Sequence, residues 1–249
     1  MNFEVGFATD IGMKRSNNQD SGACFPESGL FIVADGMGGH KGGEVASRMS
    51  VDEIAATIKK DPKKSQSHPK EVLTEAIQNA SRAIFTKSSN EPALQGMGTT
   101  TTTLYFTGDH LSVGHVGDSR CYLMHGQSIW QITRDHSLVQ EKLRAGMITR
   151  EQMKTDRMKN VITRSVGFDS HPNVDIYDYT PHAGDRLLLC SDGLSGLVND
   201  DDILKIVTES PSAQKAVESL VQQANKNGGD DNVTALLVSI TSGTAGGNT

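Results

Sequence analysis

The chain reads as an α+β layered domain, and three observations predict it. Apolar runs of strand length recur between turn residues. Several longer segments carry apolar residues at helical spacing. No internal repeat and no break in composition separates the two kinds of element, so they share one layered core. At 249 residues and 36% hydrophobic content the chain can bury such a core. With only 5% aromatic residues, that core is mainly aliphatic.

Residues 3–8 alternate as an edge strand does. Residues 9–12 turn into the polar segment Met13-Lys14-Arg15-Ser16-Asn17-Asn18-Gln19-Asp20, a solvated loop that brings a cation and an acid to one place. Residues 25–29 are turn-like. Phe31-Ile32-Val33-Ala34 is then a buried strand that ends in Asp35, a glycine-rich turn and His40. From residue 43 to 60, Val45, Ala46, Met49, Ile54, Ala55 and Ile58 mark one helical face, stopped by Asp61-Pro62. Residues 63–70 form an exposed, mobile polar connector. Val72, Leu73, Ala76, Ile77, Ala80, Ile84 and Phe85 give residues 71–87 a helical core face.

A loop over 88–98 precedes a β-branched strand over 99–106. Gly108-Asp109 turns it into a strand over 111–116. Residues 121–124 and 128–132 pair as a hairpin about His125-Gly126. A helix over 137–145 is capped by Gly146. Residues 147–160 are short, mixed and charged, which suits a mobile flap over a site or a plain surface loop. Residues 161–166 fit either strand or helix. Strands over 174–179 and 187–190 follow. A helix over 200–209 then opens with Asp200, Asp201 and Asp202 at the positive end of its dipole. A helix over 212–225 and a last strand over 233–240 complete the order. The Ser/Thr/Gly-rich tail, 241–249, reads as disordered.

Composition excludes several classes. A formal charge of −6 argues against nucleic-acid binding, which needs a basic surface. No apolar run is long enough to cross a membrane. The start of the chain has no basic segment or apolar signal core, which predicts a cytoplasmic protein. Cys24, Cys121 and Cys190 are odd in number and far apart, against a disulfide framework and against a zinc site.

Acids stand at four strand ends: Asp35, Asp118, Asp192, and Asp231 with Asn232 just before the last strand. With Asp20 and the Gly36 carbonyl they form an all-oxygen donor set, which favours Mg²⁺ or Mn²⁺ over Zn²⁺. Such acids would repel one another without a cation. A pair of divalent ions sharing one carboxylate and one water makes a hydroxide nucleophile at neutral pH. Phosphorus is the usual target: metals and an arginine such as Arg15 neutralise the phosphoryl oxygens, and a rim histidine such as His40 protonates the leaving oxygen. This reasoning reaches metal-dependent phosphoester hydrolysis and leaves protein phosphatase and nuclease both open.

Val33-Ala34-Asp35-Gly36-Met37-Gly38-Gly39-His40 closely resembles the signature of the metal-dependent serine/threonine protein phosphatases, the PPM or type 2C family, in its bacterial stand-alone branch. Further matches follow in family order. They are Arg15 to Asp20, Met97-Gly98-Thr99-Thr100, Gly117-Asp118-Ser119-Arg120, Thr133-Arg134-Asp135-His136, Ser191-Asp192-Gly193-Leu194 and Gly229 to Thr234. The resemblance implies a central sandwich of two antiparallel β-sheets flanked by α-helices on both sides, a four-layer αββα fold. It implies one catalytic domain over 1–240 with a flap near 146–160. It implies hydrolysis of phosphoserine and phosphothreonine in proteins by in-line attack of a metal-bridging hydroxide.

The resemblance also assigns residues. Asp35 would bridge two Mn²⁺ or Mg²⁺ ions, the Gly36 carbonyl would bind one, and Asp192 and Asp231 would hold the other. Asp118 with Asp192 would bind a third, weaker ion. Asp20 would act at the cluster through water, Arg15 would take the substrate phosphate, His40 would be the general acid, and Asn232 would support the cluster from its rim. Eukaryotic members carry Glu where this chain has Gln19, a departure that bears on Asp20. The implied partners are phosphoproteins and a cognate serine/threonine kinase, with no nucleic acid and no membrane. The alternative is a catalytically silent phosphoprotein-binding module of the same fold. A nuclease would need a basic groove.

Overall fold

The computed structural model describes residues 1–39 and 42–242. One antiparallel sheet runs in the order β1 (Asn2–Asp10), β11 (Val233–Ser242), β10 (Arg186–Cys190), β7 (Arg120–His125), β8 (Ser128–Gln131). The other runs β2 (Asp20–Phe25), β3 (Leu30–Met37), β5 (Thr101–Thr107), β6 (His110–Val116), β9 (Asp175–Tyr179). A two-residue β4 (Gly98–Thr99) pairs with the tip of β3.

The period of two along each strand builds the layers. On β3, Leu30, Ile32 and Ala34 pack outward against Ile54 of α1 (Gly42–Lys60) and Leu73, Ile77 and Ile84 of α3 (Pro69–Asn90). Phe31 and Val33 point the other way and meet Leu187, Leu189, Leu236 and Val238 of the facing sheet. The same alternation on β10 and β11 sends Leu188, Cys190 and Leu237 outward. There they meet Ile203 of α7 (Asp200–Glu209) and Val217 and Leu220 of α8 (Ala213–Lys226). The result is helix, sheet, sheet, helix: the four-layer αββα arrangement. Central strands are buried on both faces and therefore read as continuous apolar runs.

Several elements differ from expectation. β2 fills the stretch 21–24 left unassigned between the loop ending at Asp20 and the turn starting at Phe25. Its residues are small or polar and half-buried, and their pairing with β3 makes the strand. The supposed polar connector holds α2 (Pro62–Ser67), started by Asp61, whose side chain accepts from the Lys64 N–H at 3.0 Å, and pinned by Ser65, buried and donating to the Ile58 carbonyl at 2.9 Å. The flap stretch follows α4 (Leu138–Arg144) and contains α5 (Arg150–Thr155), which a Thr149/Gln152 capping box begins. Residues 161–166 are neither strand nor helix: Ile162 bridges to Ser137 and Val166 to Thr99. A short α6 (Asp192–Ser195) follows β10 directly. β11 continues through Thr241 and Ser242, the latter opposite Asn2, so the ordered chain passes the expected end of the domain. The rest of the expected tail, 243–249, lies outside the described residues. Among the described residues, no helix is long and apolar enough to cross a membrane.

Phe31 is fully buried between the sheets and meets Phe3 and Phe106 edge-on, with ring centroids 5.5 and 6.0 Å away. Phe31→Ala should destabilise the fold by about 3–5 kcal/mol, read from urea unfolding midpoints. A loss under about 1 kcal/mol would mean that the inter-sheet layer collapses easily around the gap.

Candidate metal centre

Strand parity aims the acids. Phe31, Val33 and Asp35 share one face of β3, so Asp35 stands where the inner layer meets solvent. Asp20 lies directly opposite Asp35 in the β2–β3 ladder, and directly opposed residues share a face. Asp118 follows β6, Asp192 follows β10 by two residues, and Asp231 precedes β11 by two. Four of the five acids are half-buried and Asp118 is buried.

Backbone and hydroxyl contacts hold these tips and leave two buried carboxyl oxygens, Asp20 Oδ1 and Asp118 Oδ1, without a partner. The Asp35 N–H donates to Thr100 Oγ1 at 2.9 Å, and its carbonyl accepts from the Thr100 N–H at 2.8 Å and from Thr99 Oγ1 at 2.9 Å. That explains the two threonines of the Met97-Gly98-Thr99-Thr100 stretch. Gly36 donates its N–H to the Gln19 carbonyl at 3.1 Å. A Cβ on Gly36 would stand 2.0 Å from the Gly43 carbonyl oxygen and 2.5 Å from that of Gln19, so only glycine fits this turn. On Asp20, Oδ2 accepts from Ser191 Oγ at 2.9 Å and Thr234 Oγ1 at 2.7 Å, while Oδ1 is buried without a partner. Asp118 Oδ1 is orphaned in the same way.

Asn232 does more than flank the cluster. Its Nδ2 donates to the carbonyls of Ile11 and Asn17, both at 2.9 Å, and its Oδ1 accepts from the Gln19 N–H at 2.8 Å. One amide thus fastens the whole 11–19 loop to the start of β11. That loop delivers Arg15, whose Nη2 lies 2.6 Å from Asp231 Oδ2, with the guanidinium side chain about half exposed (52%). His40 falls outside the described residues.

The electrostatics show what the cluster needs. Burial first, then the charges of Asp20, Asp192, Asp118 and Asp231, hold the Asp35 carboxyl well above the usual range. Burial and then Asp192 and Asp135 push Asp118 to about 8. Burial raises Asp20 to about 6 even though Thr234 and Ser191 stabilise its charged form. Asp192 is raised by burial and by Asp231, and a hydrogen bond from Asp35 opposes the rise. Burial and the neighbouring acids both favour the protonated form of these carboxyls, and a cation placed among them would favour the charged form.

A divalent cation fits this environment. Every donor is oxygen, two buried carboxyl oxygens lack partners, and the Gly36 turn leaves no room for a side chain. Among the described residues, no three His, Cys, Asp or Glu side chains gather at one metal position.

The sequence reading placed Asp20, Asp35, Asp118, Asp192, Asp231, Gly36, Arg15 and Asn232 at this end of the sandwich, and the structure brings them together there. It missed Ser191 and Thr234, the hydroxyls on Asp20. The signal for them was parity: both continue the inward-facing rows of β10 and β11.

The comparisons with known proteins agree. The family model described as "Protein phosphatase 2C" matches residues 13–237. The chain is 36% identical over 236 residues to the serine/threonine phosphatase stp of Listeria monocytogenes, covering 93% of this chain and 94% of that protein. It is 36% identical over 240 residues to the protein phosphatase PhpP of Streptococcus pneumoniae, covering 95% and 97%. A solved catalytic domain of the serine threonine protein phosphatase PstP, in complex with two manganese ions, superposes with a TM-score of 0.84 at 35% identity, covering 97% of this chain and 100% of that one. The fold and the acid-tipped strands therefore define a metal-dependent phosphatase scaffold. This chain belongs to the protein phosphatase 2C family.

Raised carboxyl pKa values have a stability consequence of fixed sign. Folded Asp20 and Asp118 keep protons to about 6 and about 8, whereas the unfolded chain releases them near 3.8. Their contribution is full below the unfolded value and is lost as pH rises through the folded values. Chelator-treated protein should therefore lose melting temperature between about pH 5 and pH 8, and Mn²⁺ should restore more at about pH 8, because binding releases those protons. Melting curves in EDTA and in Mn²⁺ test this; a chelated protein that gains stability across that range would contradict it.

Proposed function

We propose that this chain is a protein serine/threonine phosphatase that hydrolyses phosphoserine and phosphothreonine in proteins with the help of two divalent cations, Mn²⁺ or Mg²⁺. The observation that carries the reading is the convergence of five acids, two with orphaned buried oxygens, beside a half-exposed arginine. Asp35 and the Gly36 carbonyl, with Asp192 and Asp231, are the groups that would hold the pair. Asp118 with Asp192 would hold a third, weaker cation. Asp20 suits a role through water, because hydroxyls already occupy its Oδ2. When bound, the cations supply Lewis acidity: they make water acidic enough to attack at neutral pH and neutralise phosphoryl oxygens.

The chain's own residues do the rest. Arg15 receives the phosphate dianion with the N–H groups that do not face Asp231, and Asp231 in turn holds the guanidinium in place. The strand tips, fixed by Thr99, Thr100 and Asn232, keep the acids from rearranging as charge develops. By resemblance, His40 gives the proton to the leaving serine or threonine oxygen. The segment at 146–160 is read as a flap beside the cleft that influences substrate choice. Its Lys159 carries a charge that acts on Asp230 next to the cluster. The catalytic unit is taken as 1–240. A cognate serine/threonine kinase and a cytoplasmic location complete the reading. The described cysteines are all free, which fits a reducing compartment.

Phosphate release from a phosphothreonine peptide should require Mn²⁺, stop in EDTA, and fall by about 10²–10³ in Asp35→Ala and Asp231→Asn. Arg15→Ala should raise KM more than it lowers kcat. Absence of turnover in wild type under every condition, with phosphopeptide still bound, would replace the enzyme by a silent binding module.

A further inference from the structure

The turn that carries Asp118 lies against a second stretch that has no assigned task. Gly117-Asp118-Ser119-Arg120 is the turn that carries Asp118, and Thr133-Arg134-Asp135-His136 runs alongside it. At one end Arg120 grips Asp135 with Nε at 3.0 Å and Nη2 at 2.7 Å, and the Cys121 N–H donates to Thr133 Oγ1 at 2.9 Å. At the other end the Gly117 N–H donates to His136 Nδ1 at 3.1 Å, and the His136 N–H donates to the Gly117 carbonyl at 2.7 Å. The second stretch is a splint fastened on both sides of Asp118.

The histidine end is the more specific. His136 is 5% exposed. Because Nδ1 accepts, the ring proton sits on Nε2, 3.2 Å from Asp175 Oδ2. Arg164 holds the other oxygen of Asp175 at 2.8 Å. The ring is thus clamped between β9 and the Asp118 turn. Gly117 has φ +114, and a Cβ there would stand 2.6 Å from Thr100, so the turn leaves little slack. Asp118 Oδ1 has no partner that could aim it. The Asp118 N–H itself hydrogen-bonds to the carboxyl, so the backbone of the turn bears directly on where this carboxyl points.

We propose that His136 is a positioning residue for Asp118: through the Gly117 peptide it aims the Asp118 carboxyl toward Asp192, so that the two together hold the weaker cation. This rests on the reading of Asp118 as a cation ligand. His136 touches neither substrate nor cation in this role.

The test is Mn²⁺ binding to the full chain by calorimetry, which does not depend on turnover. Asn at position 136 places an oxygen near the Nδ1 position and keeps an acceptor for Gly117. Gln reaches the Nε2 position and keeps only the Asp175 contact. His136→Gln should weaken the weak Mn²⁺ class by about tenfold or more, while His136→Asn stays within about threefold of wild type. Asp175→Asn keeps an oxygen to accept from His136 Nε2 and should stay within about threefold of wild type in that class, and all three should keep the tight class. A second measurement needs no variant: in wild type the Gly117 amide NMR signal should move over the Mg²⁺ range that fills the weak class. Wild-type weak-class affinity in His136→Gln, equal losses in the Asn and Gln variants, or an unmoved Gly117 amide would overturn the proposal. A wild type with no weak class would also overturn it and would leave the phosphatase reading, tested by phosphate release, in place.

Discussion

Repulsion between carboxylates is the constraint on which the rest depends. Asp20 and Asp35 occupy directly opposed ladder positions, where like charges destabilise a sheet. Asp192, Asp118 and Asp231 add to the same field. A flexible loop would relieve this by moving apart. Strand tips rooted in two-sided cores cannot: Phe31, Val33, Leu187, Leu189 and Leu236 lock the inner layer just behind the acids. The hydrophobic layers thus hold a local arrangement that electrostatics alone would disperse. Stability given up at the site is offset by burial elsewhere.

The way the acids are fastened matters as much as their proximity. Most of the contacts at these tips fall on backbone groups or on the side chains of neighbouring residues. Thr99 and Thr100 secure the peptide of Asp35, Asn232 secures the loop carrying Arg15 and Gln19, and His136 secures the peptide before Asp118. Carboxyl oxygens are left with unused lone pairs in a desolvated place. That is expensive in a purely structural cluster and appropriate in one that receives cations. Asp20 and Asp231 are exceptions: two hydroxyls occupy one oxygen of Asp20, and Arg15 and the Asn232 N–H occupy the two oxygens of Asp231.

The acid-tipped strands were legible because the signal is local: an apolar run, a parity of two and a carboxylate at its end. The long helices over 43–60 and 71–87 were legible from periodicity for the same reason. The layering was not, since alternation shows that both faces of β3 are buried but not what covers each; the family resemblance supplied that. β2 stayed hidden because Asp20 to Phe25 are small, polar or half-buried and become a strand only through β3. Residues 161–166 resisted assignment because they form isolated bridges to Ser137 and Thr99, distant in the chain. Ser191, Thr234 and Thr100 entered the sequence reading only as members of family-like stretches, and what each hydroxyl holds appears only when the elements around it come together. Asn232 was placed at the rim, where its N–H reaches Asp231 Oδ1 at 2.8 Å, and three side-chain hydrogen bonds make it the fastener of a loop as well.

Gln19, where eukaryotic relatives carry glutamate, is best understood from the same repulsion. Its structural work is done by its backbone: the N–H goes to Asn232 Oδ1 and the carbonyl receives the Gly36 N–H. Among the described residues, its side-chain amide makes a long contact, 3.4 Å, to the Gly38 carbonyl. A carboxylate could not donate there and would add a sixth negative charge beside Asp20 and Asp35. The neutral amide keeps the stitch between β2, β3 and the Asn232 loop without deepening the repulsion. On these contacts the exchange leaves the position of Asp20 intact, because that position is set by ladder pairing with Asp35 and by Ser191 and Thr234, not by the side chain of residue 19.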